Sequence, residues 1–125
     1  GEVRMKDDEV IARRDKYCTA QLTGTDWAQL PSDRIAVLND TNNKCGGEVR
    51  TEFHLTGTLD NDGGWCVTGV VELYEGARDT SNDLDGSKRV SGCAPAGGMI
   101  EIDGRVNNTD EGGDWADYKI DLIAS

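Results

Sequence analysis

Along residues 48–59 polar and apolar side chains alternate, with Val49, Thr51, Phe53, Leu55 and Leu59 on one face and Glu48, Arg50, Glu52, His54 and Thr56 on the other. The run ends in Asp60-Asn61-Asp62-Gly63-Gly64, a strong turn signal. A second alternating run, residues 65–75, returns with Trp65, Val67, Val71 and Leu73 on one side. A period of two belongs to strands, and two such runs around an Asn/Asp/Gly turn predict a hairpin with one face in a core and one toward water.

The same reading predicts strands over 34–38, 99–106 and 115–123, with 17–23 as a sixth and 88–93 as a short seventh. Residues 115–123 set Ala116, Tyr118, Ile120 and Leu122 on the core face against Trp115, Asp117, Lys119 and Asp121. The N-terminal stretch is open to two readings. Residues 7–14 carry acids first and bases last, as a helix dipole prefers, with Glu9 and Arg13 four apart. With Val3 and Met5 before them they also read as two short strands around an acidic kink, and strands suit their neighbours better. No repeat or low-complexity linker divides the chain. We expect one domain, 1–125, an all-β antiparallel sandwich of about six to eight strands in an immunoglobulin-like or C2-like arrangement.

Composition agrees. The 125 residues suffice for one modest core, while 36% apolar residues with sixteen glycines and two prolines fit short strands joined by Gly/Asp/Asn turns. The cysteines, Cys18, Cys45, Cys66 and Cys93, form no C-x-x-C motif, and His54 is the single histidine, so the spacing offers no structural zinc motif. Four well-separated cysteines suggest two disulfides in an oxidising compartment. Three pairings are open. Cys18–Cys45 with Cys66–Cys93 is favoured, because nearest-neighbour pairing staples adjacent strands. No apolar run is long enough to span a membrane and no signal peptide is seen; for the secreted protein that the cysteines suggest, the expectation is that this is the mature form.

Charge changes the functional picture. The net charge is −11, and it is uneven: residues 1–50 hold nine acids and eight bases, residues 51–125 fifteen and five. Such a surface repels nucleic acid and anionic membranes and attracts cations or a basic partner. If consecutive strands alternate in direction, the loops after residues 73 and 106 share one end, away from the turn at 60–64. They gather Asp79, Asp83, Asp85, Asp110, Glu111 and Asp114. Carboxylates clustered in this way repel unless neutralised, and calcium, a hard ion taking six to eight oxygens, is the natural candidate. In kind alone, acidic loops at one end resemble those of calcium-dependent C2-like sandwiches. The competing reading is that these residues simply make turns.

Catalytic signals are weak. His54 lies on a polar strand face, no serine sits in a nucleophile motif, and the Gly-Gly pairs suit turns, so no enzyme is expected. Sequons at Asn39 and Asn107 fall in expected loops. Trp65 continues a core face, whereas Trp115 sits among charged residues and is a candidate for stacking on a sugar. Three functions follow. The first is an extracellular interaction or structural module, calcium-stabilised, that binds a protein partner or self-associates. The second is a carbohydrate-binding module. The third is a small secreted protease inhibitor with residues 93–97 as its loop.

Overall fold

The computed structural model describes residues 2–7, 16–21, 29–30, 34–45, 49–59, 63–75, 83–109 and 113–123. These form nine strands: β1 (Glu2–Asp7), β2 (Lys16–Gln21), β3 (Gln29–Leu30), β4 (Arg34–Cys45), β5 (Val49–Leu59), β6 (Trp65–Glu75), β7 (Leu84–Ala94), β8 (Met99–Asn107) and β9 (Trp115–Ile123). They make two antiparallel sheets, in the orders β2-β1-β9-β8 and β3-β4-β5-β6-β7. The chain is an all-β sandwich with two disulfides, Cys18–Cys45 and Cys66–Cys93.

Alternation places the core between the sheets. Val3 and Met5 of β1, with Ala116, Tyr118, Ile120 and Leu122 of β9, face Val49, Phe53 and Leu55 of β5 and Val67, Val71 and Leu73 of β6. Phe53 meets Tyr118 edge-to-face across the layers, with ring centroids 6.0 Å apart and planes at 80°. Along one side β7 runs close to β8, and glycines permit it. A Cβ on Gly86 would lie 2.1 Å from the Asn107 carbonyl oxygen, and one on Gly92 would lie 2.7 Å from Ile100 Cγ2.

β6 and β9 have the expected limits, and β5 runs from Val49 to the expected Leu59, with Glu48 outside the described residues. Other elements differ for identifiable reasons. β4 extends to Cys45 through a polar run that has no clean alternation, because register shifts between Ala36 and Leu38 and between Asp40 and Asn43 interrupt its ladder. Asn39 therefore lies within a strand, opposite His54, and not in a loop. Asn107 is the last residue of β8, also strand rather than loop. β7 begins four residues earlier than expected, at Leu84, and passes a bulge beside Tyr74. Leu59, expected in the core, is 60% exposed, since it ends its strand and its cross-strand partner Trp65 fills the core there instead. At the N-terminus Val3 and Met5 belong to a strand, β1, and residues 8–15 lie outside the described set.

Tyr118 is 3% exposed, and its hydroxyl has no hydrogen-bond partner. Burial, helped by the charge of Asp103, raises its pKa above the usual 10. The unfolded chain then ionises first as pH climbs, so this tyrosine's contribution is intact below pH 10 and lost as pH rises through the folded pKa. Tyr118→Phe removes an unsatisfied buried hydroxyl and keeps the ring. We expect a gain of about 1 kcal/mol at neutral pH and a shallower loss of stability above pH 10, read from denaturant titrations across pH. A loss at neutral pH would show that the hydroxyl is satisfied.

Candidate functional site

The described residues that flank the two acidic loops meet at one end of the sandwich. The Thr109 amide and hydroxyl both donate to the Asp85 carbonyl at 2.9 Å, and the Glu75 amide donates to the Asp83 carbonyl at 3.2 Å. The Asn108 side-chain amide donates to Glu75 Oε2 at 2.9 Å and to Asp114 Oδ2 at 3.2 Å, bridging β6 to the connection before β9. Asp85 and Asp114 are buried, at 5% and 4% exposure, whereas Asp83 is exposed. Of the six residues singled out for calcium, these three are brought to one end. Asp79, Asp110 and Glu111 lie outside the described residues. The opposite end is built by the turn near Gly63, which packs against the β7–β8 turn so closely that a Cβ on Gly63 would lie 3.2 Å from Ala96 Cβ.

A second cluster lies on the outer face of the five-stranded sheet. On β5, Arg50, Glu52 and His54 alternate onto this face. On β6, Glu72 and Tyr74 do the same, and the register sets Arg50 opposite Tyr74 and Glu52 directly opposite Glu72. Like charges facing one another across an antiparallel pair destabilise it unless something neutralises them. His54 lies between the two carboxylates here. Its Nε2 lies 3.0 Å from Glu52 Oε1 and 3.2 Å from Glu72 Oε1. Carboxylates only accept, so Nε2 carries the proton in this arrangement.

The second oxygen of Glu52 is held as well. Arg50, buried at 6% exposure, donates from Nε to Glu52 Oε2 at 2.8 Å, and its guanidinium lies 4.4 Å from the centre of the Tyr74 ring. The Tyr74 hydroxyl donates a hydrogen bond to Glu72. Burial first, then the charges of Glu72 and Glu52 and that hydrogen bond, raises its pKa above 10. Among the described residues, Glu52, His54 and Glu72 are the one group of three metal-ligating side chains whose ligand atoms all lie within 4.8 Å of one another. Sequence reasoning treated His54 as an ordinary polar-face residue. The signal it passed over was the hairpin register, which already sets Glu52 across from Glu72.

Beside this cluster a groove of about 640 Å³ runs over β6 and β7, lined by Thr68, Val70, Glu72, Ser87, Arg89 and Ser91. Trp115 is on the outer face of the other sheet. One side of its ring is covered by the Arg105 guanidinium, 4.1 Å from its centre, which also forms a two-pronged pair with Asp117. Tyr17 sits beside it, 6.3 Å between ring centres and 67% exposed. The connection after Cys93 is a tight turn closed by the Gly98 amide on the Pro95 carbonyl at 2.9 Å, with Gly97 at φ +76°. Its exposed side chains, Pro95 and Ala96, are small.

Fold and site together define a disulfide-bonded antiparallel β-sandwich that carries a compact Arg/Glu/His/Tyr cluster on one outer sheet face. No family model matches the chain, and no curated protein or solved structure matches it either.

Proposed function

We propose that this domain is a non-enzymatic extracellular binding module that recognises a protein partner on the outer face of its five-stranded sheet. The observation that carries this reading is the groove over β6 and β7, where Arg89 and Glu72 offer both charge signs around Val70 and small hydroxyl side chains. A polar groove with an apolar floor suits a peptide segment better than a sugar ring, which needs an open aromatic face. Two disulfides support an oxidising compartment, and no helix among the described residues is long and apolar enough to cross a membrane. Calcium at the loop end belongs to the same reading. Asp85 and Asp114 are both buried at that end, where the Asn108 amide draws Glu75 and Asp114 together, and an oxygen-seeking cation would find carboxylate ligands there.

The test sets the wild type against Arg89→Glu and the groove-filling Ser91→Trp, on a panel of purified extracellular proteins, a glycan array and a protease panel. We expect a protein ligand whose binding both substitutions weaken at least tenfold while melting is unchanged. Glycan binding lost in Tyr17→Ala would overturn the reading in favour of the Tyr17–Trp115 surface. Protease inhibition lost on changing Ala96 would overturn it in favour of an inhibitor. Light scattering separates a foreign partner from self-association. Melting in EDTA against millimolar Ca²⁺ tests the loop end, with an upward shift expected that Asp85→Asn and Asp114→Asn reduce.

A further inference from the structure

We infer that Glu52, His54 and Glu72 form a binding site for a single divalent transition-metal ion of the zinc type. The site stands apart from the acidic loops, and it shares Glu72 with the edge of the groove.

The geometry is close to what such an ion requires. Zinc takes imidazole nitrogen at about 2.0–2.1 Å and carboxylate oxygen at about 2.0–2.2 Å, so two ligand atoms at a tetrahedral angle lie roughly 3.3–3.5 Å apart. His54 Nε2 is now 3.0 Å from Glu52 Oε1 and 3.2 Å from Glu72 Oε1. An ion replacing the Nε2 proton would need the nitrogen and each oxygen to part by a few tenths of an ångström, with the two carboxylate oxygens, already within 4.8 Å of one another, closing around it. The proton leaves to solvent as the ion enters.

The support around the three atoms is what a metal site needs. The Arg50 guanidinium holds Glu52 by its other oxygen, and Tyr74 is hydrogen-bonded to Glu72. Fixing ligands from behind in this way orients them before the ion arrives. All three ligands stand on adjacent strands of one hairpin, a rigid support compared with a loop. Chemistry selects the ion. An imidazole with two carboxylates suits zinc, cobalt or manganese, whereas calcium prefers an all-oxygen shell. Three protein ligands on a half-exposed face leave a coordination position open toward solvent.

The experiment uses the intact, disulfide-bonded protein after EDTA treatment and dialysis. Zn²⁺ is titrated by calorimetry, and Co²⁺ is added separately as a visible-spectrum probe of nitrogen/oxygen coordination. We expect one equivalent of Zn²⁺ per chain, reversible by EDTA and not displaced by millimolar Ca²⁺, with the Co²⁺ spectrum altered by His54→Gln. His54→Gln and Glu72→Gln should each weaken Zn²⁺ binding at least tenfold. Asp85→Asn, at the loop end, should leave it unchanged. Glu72→Gln also removes one of two facing carboxylates, so its metal-free form should melt no lower than the wild type, which separates lost ligation from lost fold. Failure to bind stoichiometric Zn²⁺ would overturn the inference. So would binding that survives both His54→Gln and Glu72→Gln but falls with Asp85→Asn, since the ion would then sit among the loop carboxylates.

Discussion

Replacing Cys18 and Cys45 together by alanine is expected to lower the unfolding free energy by about 3–4 kcal/mol, the chain-entropy value for a loop of this length. The two disulfides close loops of equal separation, 27 residues each, so that entropic part is the same for both. Their native surroundings differ. Cys66 and Cys93 face each other within the β6–β7 ladder, whose backbone pairing continues on both sides, and Cys93 is exposed. Cys18 and Cys45 instead tie β2 of one sheet to β4 of the other, and Cys45 is 2% exposed within the core cluster. Its removal takes away a sheet-to-sheet tie and buried sulfur together. Guanidinium titrations of the two double-alanine variants should therefore rank the Cys18/Cys45 variant as the less stable. The opposite ranking would mean that the apolar core holds the two sheets together without the tie.

Phe53→Ala is expected to cost about 3–5 kcal/mol, the range for emptying a buried aromatic site. Phe53 has no exposed surface, stands at the middle of the central strand β5, and packs against Tyr118 of the other sheet. Both of its strand neighbours are fixed by ladders, so the backbone has little freedom to collapse into the space. Phe53→Leu keeps most of the volume and should cost clearly less. A cost under about 1 kcal/mol for the alanine variant, measured at an unchanged denaturant slope, would show that the two sheets close over the gap.

Where one face of a strand is buried and the other wet, alternation alone carried the prediction. That is why 65–75 and 115–123 have the limits read from their residues, and why Val49, Phe53, Val67, Tyr118 and Ile120 are core. It failed where the ladder is irregular. In β4 two register shifts let Asn39, Asp40 and the residues after them continue a strand that their composition disguises as a loop. In the candidate site, His54 reads as an ordinary polar residue when β5 is taken alone. It becomes part of a three-ligand group only once β6 is laid beside it, bringing Glu72 within 3.2 Å.

By itself the sequence determined the strand period, the hairpin around residues 60–64, an even set of well-spaced cysteines and the placement of negative charge in the last three-fifths of the chain. Each of these is local, or a matter of counting, and depends on which way a side chain points from its own backbone. Tertiary structure alone decided that β1 pairs with β9, that Cys18–Cys45 crosses between sheets while Cys66–Cys93 stays within one, and that Asn108 draws Glu75 and Asp114 together. It also set the Arg105 guanidinium over Trp115. A period of two tells a strand which face to bury but not which strand to lie beside; that choice is made when distant segments close one shared core, and no single segment holds the information for it.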